Sequence, residues 1–305
     1  MKKIYKLTPA IKDNLWGGNK LEMYGKSGVS DRIAESWELS FTDGGEARTN
    51  DGKELSIVFP KETWGTACQK FDRFPVLTKF IDAREKLSVQ VHPSDEYALA
   101  HEGQYGKTEM WYVVSADPGA GLYMGLKEKC TPELFSSAVK DGSVEKYLSF
   151  VPVSGGEIFF IPSGTVHAIG AGCLIYEIQQ NSTLTYRLYD YMRRDKNGSL
   201  RELHVEKAMA VALLDRYEPL PRDENNPDII GRCEYFEASK YKLKFTNKTF
   251  SVDEKSFLAI TAIFGSGLIE DEEIKAGDTY FSPAGAGEIT VSSDKDLEII
   301  AVKVS

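Results

Sequence analysis

The sequence predicts a mainly β protein built as two related β-barrels, a metal-binding one followed by a metal-free one. Three observations carry this. Short apolar runs bounded by turn residues recur along most of the chain. A Pro-, Asp- and Asn-rich stretch from Pro219 to Pro227 reads as a linker. Gly156-Glu157-Ile158-Phe159-Phe160-Ile161-Pro162-Ser163-Gly164 is echoed by Gly277-Asp278-Thr279-Tyr280-Phe281-Ser282-Pro283-Ala284-Gly285 with both glycines and the proline in step. These place one unit over 1–220 and a second over 230–305. Glu288 stands where the first copy has His167, so the second unit lacks an imidazole ligand.

The expected strands of the first unit are Glu35 to Phe41, Phe74 to Asp82, Ser88 to His92, Glu109 to Ser115, Glu157 to Ile161 and Cys173 to Gln180. Three helices interrupt them. A short one follows Ser94, with Asp95 and Glu96 at its positive start and Gly103 at its end. An insertion over 131–149 opens with Thr131 as N-cap before Pro132. A linking helix covers Glu202 to Arg216. The stretch from Leu174 to Tyr191 reads as a hairpin turning near Asn181-Ser182, with Ile175, Glu177 and Gln179 on one face and Thr185, Arg187, Tyr189 and Tyr191 on another. So polar a face suits a barrel interior that holds a polar ligand, although a solvated edge hairpin would also show it.

Composition narrows the function classes. Of 305 residues, 42% are apolar and 27% charged, as in a soluble globular protein. The net charge of −9 argues against nucleic acid or an anionic membrane as partner, but not against a small phosphorylated substrate met by a local cationic pocket. Residues 1–7 lack the apolar run of a signal peptide, no segment is long enough for a membrane span, and the four cysteines form no CxxC pair. A cytoplasmic protein with reduced thiols is expected.

The chain has only four histidines. In Leu87-Ser88-Val89-Gln90-Val91-His92-Pro93, strand alternation puts Gln90 and His92 on one face. His167 follows a strand and a Pro-Ser-Gly turn, and Glu109 lies on a strand between the two histidines. Gln90, His92, Glu109 and His167 make a mixed N/O set that suits zinc or another divalent ion with room for water or substrate. His101, late in the short helix, and His204, at the opening of the linking helix, read as surface residues. Lys107, two residues before Glu109, projects toward the same pocket or into solvent.

Taken in order, Gln90-x-His92-Pro93, Lys107-x-Glu109, Pro162-x-Gly164-x-x-His167 and Gln179-Gln180-x-Ser182-x-x-x-Tyr186-Arg187 resemble the type I mannose-6-phosphate isomerases. Asp13-Asn14-Leu15-Trp16-Gly17-Gly18 and Ala34-Glu35-Ser36-Trp37 are also similar to segments of that family. The large helical domain of its longer members is reduced here to one short insertion, as in the short bacterial subgroup. The resemblance implies cupin-type jelly-roll barrels and one zinc ion per chain on Gln90, His92, Glu109 and His167, with Gln90 either a ligand or a hydrogen-bonding neighbour. It implies interconversion of D-mannose 6-phosphate and D-fructose 6-phosphate through a cis-enediol. Arg187 would stabilise the enediolate or position substrate oxygens, Lys107 would bind substrate or transfer a proton, and Glu177 would orient Arg187 or help move protons, the base being Lys107 or a nearby carboxylate. Lys79 and Ser88 would hold the phosphate, Lys79 at the end of the pocket far from the metal. Two alternatives stay open on the residues alone: an Fe(II)-dependent cupin oxygenase and a non-catalytic sugar-binding cupin. Oligomeric state is not legible in the sequence.

Overall fold

Two strands, Val76–Ala83 and Cys173–Gln180, show why this chain needs three layers. Every residue in both is buried, although Lys79, Asp82 and Glu177 are charged. Alternating strands of a one-sided sheet would leave every second residue exposed, so both faces of this sheet must be covered. Its six strands run in the order Ile158–Ile161, Glu109–Ala116, Cys173–Gln180, Val76–Ala83, Ile33–Leu39 and Ala10–Gly18. The structure is a computed structural model that describes residues 3–28, 32–194, 197–219 and 224–305.

One face of this sheet meets a five-stranded sheet ordered Tyr186–Tyr189, Val89–Val91, His167–Ile169, Gly121–Leu126 and Leu148–Pro152. Ile81, Val113 and Ile175 pack there against Leu122, Met124 and Ile169. The other face carries Phe80, Tyr112, Leu174, Tyr176 and Ile178, which join Phe236, Phe257, Phe281 and Ile300 of the C-terminal region in one apolar cluster. Helices cover the outside of the five-stranded sheet, where Phe135, Val139 and Ala208 pack on Val89, Val91 and Leu188. The first unit is thus the expected jelly roll, but as two open facing sheets rather than a hydrogen-bonded closed barrel.

The C-terminal region is an eight-stranded sheet around the long strands Glu237–Val252, Leu258–Ile269 and Gly287–Lys303. Register shifts between Lys244 and Thr246 and between Ala262 and Phe264 bend these strands around a separate apolar core. The internal repeat is visible in the backbone. Gly156 and Gly277 have φ of 95° and 93°, and Gly164 and Gly285 have φ of 87° and 77°, each pair flanking a four-residue strand. The sheets do not follow the expected division at 220–230 throughout. Tyr5–Thr8, from the start of the chain, pairs with Thr279–Ser282 and joins the C-terminal sheet, as does Arg48–Thr49. Residues 1–2 of the N-terminal segment, and Pro221 and Asp223 of the linker, lie outside the described residues.

Three expected elements differ. The 131–149 helix spans only Pro132–Lys140, with Thr131 capping it as anticipated. Gly142, at φ 77°, ends it, and Leu148–Pro152 becomes an edge strand on Gly121–Leu126. The linking helix is Val205–Val211, because the next residues are drawn into the Gly164 turn, where Leu213 N–H donates to Gly164 O at 2.7 Å. The Leu174–Tyr191 hairpin does not form. Cys173–Gln180 and Tyr186–Tyr189 lie in different sheets. Asn181 ties the intervening corner down, its N–H donating to Pro75 O and its Nδ2 to Phe74 O, so the chain crosses between sheets instead of folding back. The short helix is Asp95–Glu102, with Ser94 and Gly103 as caps. All four cysteines are free, and no helix among the described residues is long and apolar enough to cross a membrane.

A buried polar chain joins the two units. Lys26 Nζ lies 2.8 Å from Glu38 Oε1, Thr279 donates to Glu38 Oε2, and Thr279, Thr261 and Tyr176 are linked hydroxyl to hydroxyl. Glu38→Ala would strand the buried Lys26 ammonium. A loss of ~3–5 kcal/mol is expected, read as a lower urea midpoint at unchanged slope. A midpoint equal to that of the parent would show that the pair is dispensable.

Candidate metal centre

Register assembles the site from two facing rows. In the five-stranded sheet His167 lies opposite Gln90, and Gln90 opposite Arg187. In the six-stranded sheet Trp111, Glu177 and Lys79 stand side by side, with Glu109 opposite Gln179 one step along. Strand alternation turns these side chains into the space between the sheets.

His92, Glu109 and His167 come together there, all buried, as the group among the described residues that could hold a metal ion. His167 Nε2 is 3.3 Å from Glu109 Oε1, and His92 Nε2 is 3.6 Å from Glu109 Oε2. Ligand atoms about 2.1 Å from a tetrahedral ion stand about 3.4 Å apart, so the spacing fits. The Nδ1 atoms are occupied, His92 by Leu184 O at 2.9 Å and His167 by Thr165 O at 2.8 Å. A carbonyl can only accept, so each Nδ1 carries the proton and each Nε2 turns a lone pair inward. Burial pushes both imidazoles down, His167 to about 4, helped by the charge of Lys107, so both are neutral at pH 7. Glu109 is buried, with Lys107 as the ion-pair partner of Oε2, and Oε1 has no hydrogen-bond donor. A buried oxygen without a donor is costly unless a cation faces it. Gln90 Nε2 lies 3.3 Å from His167 Nε2, and turning the amide over would present its oxygen at the same place.

Charges alternate beyond the ligands. Lys107 Nζ is 2.5 Å from Glu109 Oε2 and 3.4 Å from Glu177 Oε1. Lys79 Nζ is 3.1 Å from Glu177 Oε1 and 3.3 Å from Glu35 Oε2, and Trp111 Nε1 donates to Glu177 Oε2 at 2.7 Å. Burial alone would raise Glu177, but Lys107 and Lys79 hold it at about 2. Burial and the neighbouring Glu177 charge raise Glu109 to about 7, against the pull of Lys107. Lys79 is raised despite its burial, because Glu177 and Glu35 flank it. The chain bends after Ala83 as expected, and Lys79 sits on the straight strand before the bend, sharing Glu177 with Lys107.

A cavity of about 270 Å³ opens over these groups, close to the lower end of small-ligand pockets at ~300–1,000 Å³. Lys79, Ser88, Gln90, Lys107, Glu177 and Arg187 all line it, as do Asn14, Trp16 and Glu35 from the motif-like N-terminal segments. Lys107 lies just before the Glu109 strand rather than on it, yet reaches the pocket. Sequence reasoning missed two residues. Arg201 lines the cavity from the segment before the linking helix, where no periodicity marks it. His204 is half-buried rather than solvated, and its Nδ1 accepts from Arg187 N–H at 3.1 Å. His101 is an exposed helix-end residue stacked on Tyr97, as expected. Tyr191 lies apart, beside Arg193 and Lys86.

Comparison with known proteins agrees with this geometry. A sequence model described as "Phosphomannose isomerase type I, catalytic domain" matches residues 4–112. The chain is 38% identical to Mannose-6-phosphate isomerase ManA of Bacillus subtilis, covering 92% of this chain and 93% of that protein. It is 34% identical to the Mannose-6-phosphate isomerase of Streptococcus mutans over 94% of both. The crystal structure of the Bacillus subtilis mannose 6-phosphate isomerase superposes with a TM-score of 0.87 at 32% identity, over 98% of this chain and 99% of that one. A putative mannosephosphate isomerase from Archaeoglobus fulgidus, 23% identical, shares the fold at a TM-score of 0.80 over 100% and 98% of the two chains. Identity at this level, sustained across both units, means that the chain belongs to the type I mannose-6-phosphate isomerase family.

Proposed function

We propose that the chain interconverts D-mannose 6-phosphate and D-fructose 6-phosphate through a cis-enediol, with one zinc ion per chain on His92, Glu109, His167 and Gln90. The observation that carries this is the convergence of two neutral Nε2 lone pairs and a buried carboxylate, paired with Lys107 through one oxygen only, beneath a polar cavity, in a chain of this family. The ion would polarise the C1 and C2 oxygens of the sugar. The chain's own groups would move the protons. The proton leaving C2 of the aldose returns at C1 to give the ketose, and a second passes between O1 and O2.

Lys107 is the proposed carrier. Glu177, held at about 2, is a weak base, but its negative charge keeps the Lys107 amine aimed at the centre. The Lys107 amine lies within reach of both the ligand carboxylate and the cavity, where a proton carrier must stand. Arg187 lines the same cavity with its position fixed by Glu202 O at 2.8 Å and by His204. Its charge would offset the enediolate. Lys79 and Ser88 would contact substrate oxygens, Lys79 also orienting Glu177. A phosphorylated substrate and four free thiols suit a cytoplasmic enzyme.

A coupled assay for fructose 6-phosphate tests this directly. Turnover should vanish after chelation and return with zinc. Product formation that persists at full rate without metal would remove the metal from the reaction, and none under any condition would leave a sugar-binding protein. His167→Ala and Glu109→Ala should each lose most bound metal and nearly all activity, because few ligands hold the ion; full occupancy in either would refute the ligand set. Arg187→Lys should keep metal and fold yet slow turnover by at least about 10²-fold, since the ammonium lacks the planar fork. Near-parental turnover would make Arg187 peripheral.

A further inference from the structure

The cavity has two kinds of cation. Lys79 is closed in by Glu35 and Glu177, and Lys107 by Glu109 and Glu177, so carboxylates already answer both charges. The guanidinium end differs. Arg187, Arg193 and Arg201 gather around one buried carboxylate, Asp190. Arg193 takes Asp190 Oδ1 in a direct bond. Arg201 Nη1 stops 3.5 Å from Oδ2, and that oxygen has no hydrogen-bond partner. Arg187 spends Nη1 on a backbone carbonyl, and its buried Nε has no partner. The other nearby acid among the described residues, Glu202, has 83% of its side chain exposed. Among the described residues, three positive charges therefore face one buried negative charge, in a protein whose net charge is −9.

We propose that Arg201 is the residue that binds the substrate's phosphate group, with the Ser88 hydroxyl lining the same cavity. This rests on the reading that the substrate is a phosphorylated hexose. A phosphate monoester carries about −1.5 to −2 charges at pH 7, the deficit this cluster leaves. A guanidinium offers paired N–H donors to two phosphate oxygens. Arg201 is three-quarters buried, with 25% of its side chain exposed, so it is anchored yet reachable from the cavity. The charges that act on Glu109 and Glu177 are those of Lys107 and Lys79, whereas Arg201 acts on Arg187. The order metal, Lys107, Arg187, Arg201 would then run along the sugar from C1 to C6.

The test compares Arg201→Ala and Arg201→Lys with the parent enzyme, each carrying its metal. Arg201→Ala should raise KM for mannose 6-phosphate and Ki for inorganic phosphate by roughly 10- to 100-fold, with metal content and thermal midpoint unchanged. Arg201→Lys should recover part of both. A purely structural arginine would instead shift the midpoint or the metal content and leave the KM-to-kcat balance intact. Unchanged KM and Ki in Arg201→Ala, with the parent turning over, would overturn the proposal while leaving the isomerase reading standing. Should the parent make no fructose 6-phosphate, that reading fails, and equilibrium binding of mannose 6-phosphate against unphosphorylated mannose still decides. Loss of the preference in Arg201→Ala supports the phosphate role, and an equal preference in both proteins ends it.

Discussion

The buried carboxylate of Glu177 is the constraint around which this structure is organised. It lies on a central strand, 2% exposed, and such a charge costs several kcal/mol unless partners surround it. Lys79 faces it across the neighbouring strand on one side and Trp111 on the other, and Lys107 reaches it from the loop before Glu109. Each partner brings a further group with it. Lys79 ties in Glu35 from the next strand, and Lys107 ties in Glu109 and, through it, both histidines. This network of four ion pairs thus ties neighbouring strands and the loop before Glu109 together and delivers an ordered polar cavity.

Such an interior needs a rigid backing, because strands that carry charge on one face gain little packing there. The opposite face supplies it. Tyr176 is next to Glu177 in sequence but points the other way, into the aromatic cluster with Phe80 and the C-terminal strands, where its hydroxyl meets Thr261. Tyr112 on the neighbouring strand donates to Glu298. The C-terminal sheet therefore acts as the second layer for the catalytic sheet. The first strand of the chain, Tyr5–Thr8, is built into that layer, which makes the two units one packing problem rather than two.

Much of this was legible in the sequence, and the failures have physical causes. His92, Glu109 and His167 could be found because alternation and a Pro-Ser-Gly turn constrain where their side chains point. Thr131, Ser94 and Gly103 could be found because helix ends have local chemistry. The Leu174–Tyr191 hairpin could not be corrected from sequence, since what prevents it is Asn181 bonding to Phe74 and Pro75, more than a hundred residues away. The partners of Lys79 were hidden for a similar reason. An odd spacing from Gln90 shows that the two lie on different faces or sheets, but not that Glu177 would stand between Lys79 and Lys107. Arg201 lies in an irregular segment, where no period exists to read.

The loops divide the labour of the site. Backbone carbonyls of Leu184 and Thr165 fix the tautomers of His92 and His167, so the metal face of the cavity is set by loops that tie the two sheets together. These loops are themselves bound, Ser182 by Tyr105 O and Gly164 by His92 O. The guanidinium face is held by weaker ties, with Arg187 on Glu202 O and Arg201 beside an unsatisfied oxygen of Asp190. On the proposed reading, a rigid metal end and a softer guanidinium end would suit proton transfer, which tolerates little misplacement at the reacting carbons. Holding a flexible phosphate arm would require less exact placement, so tight geometry would be concentrated where the proton moves.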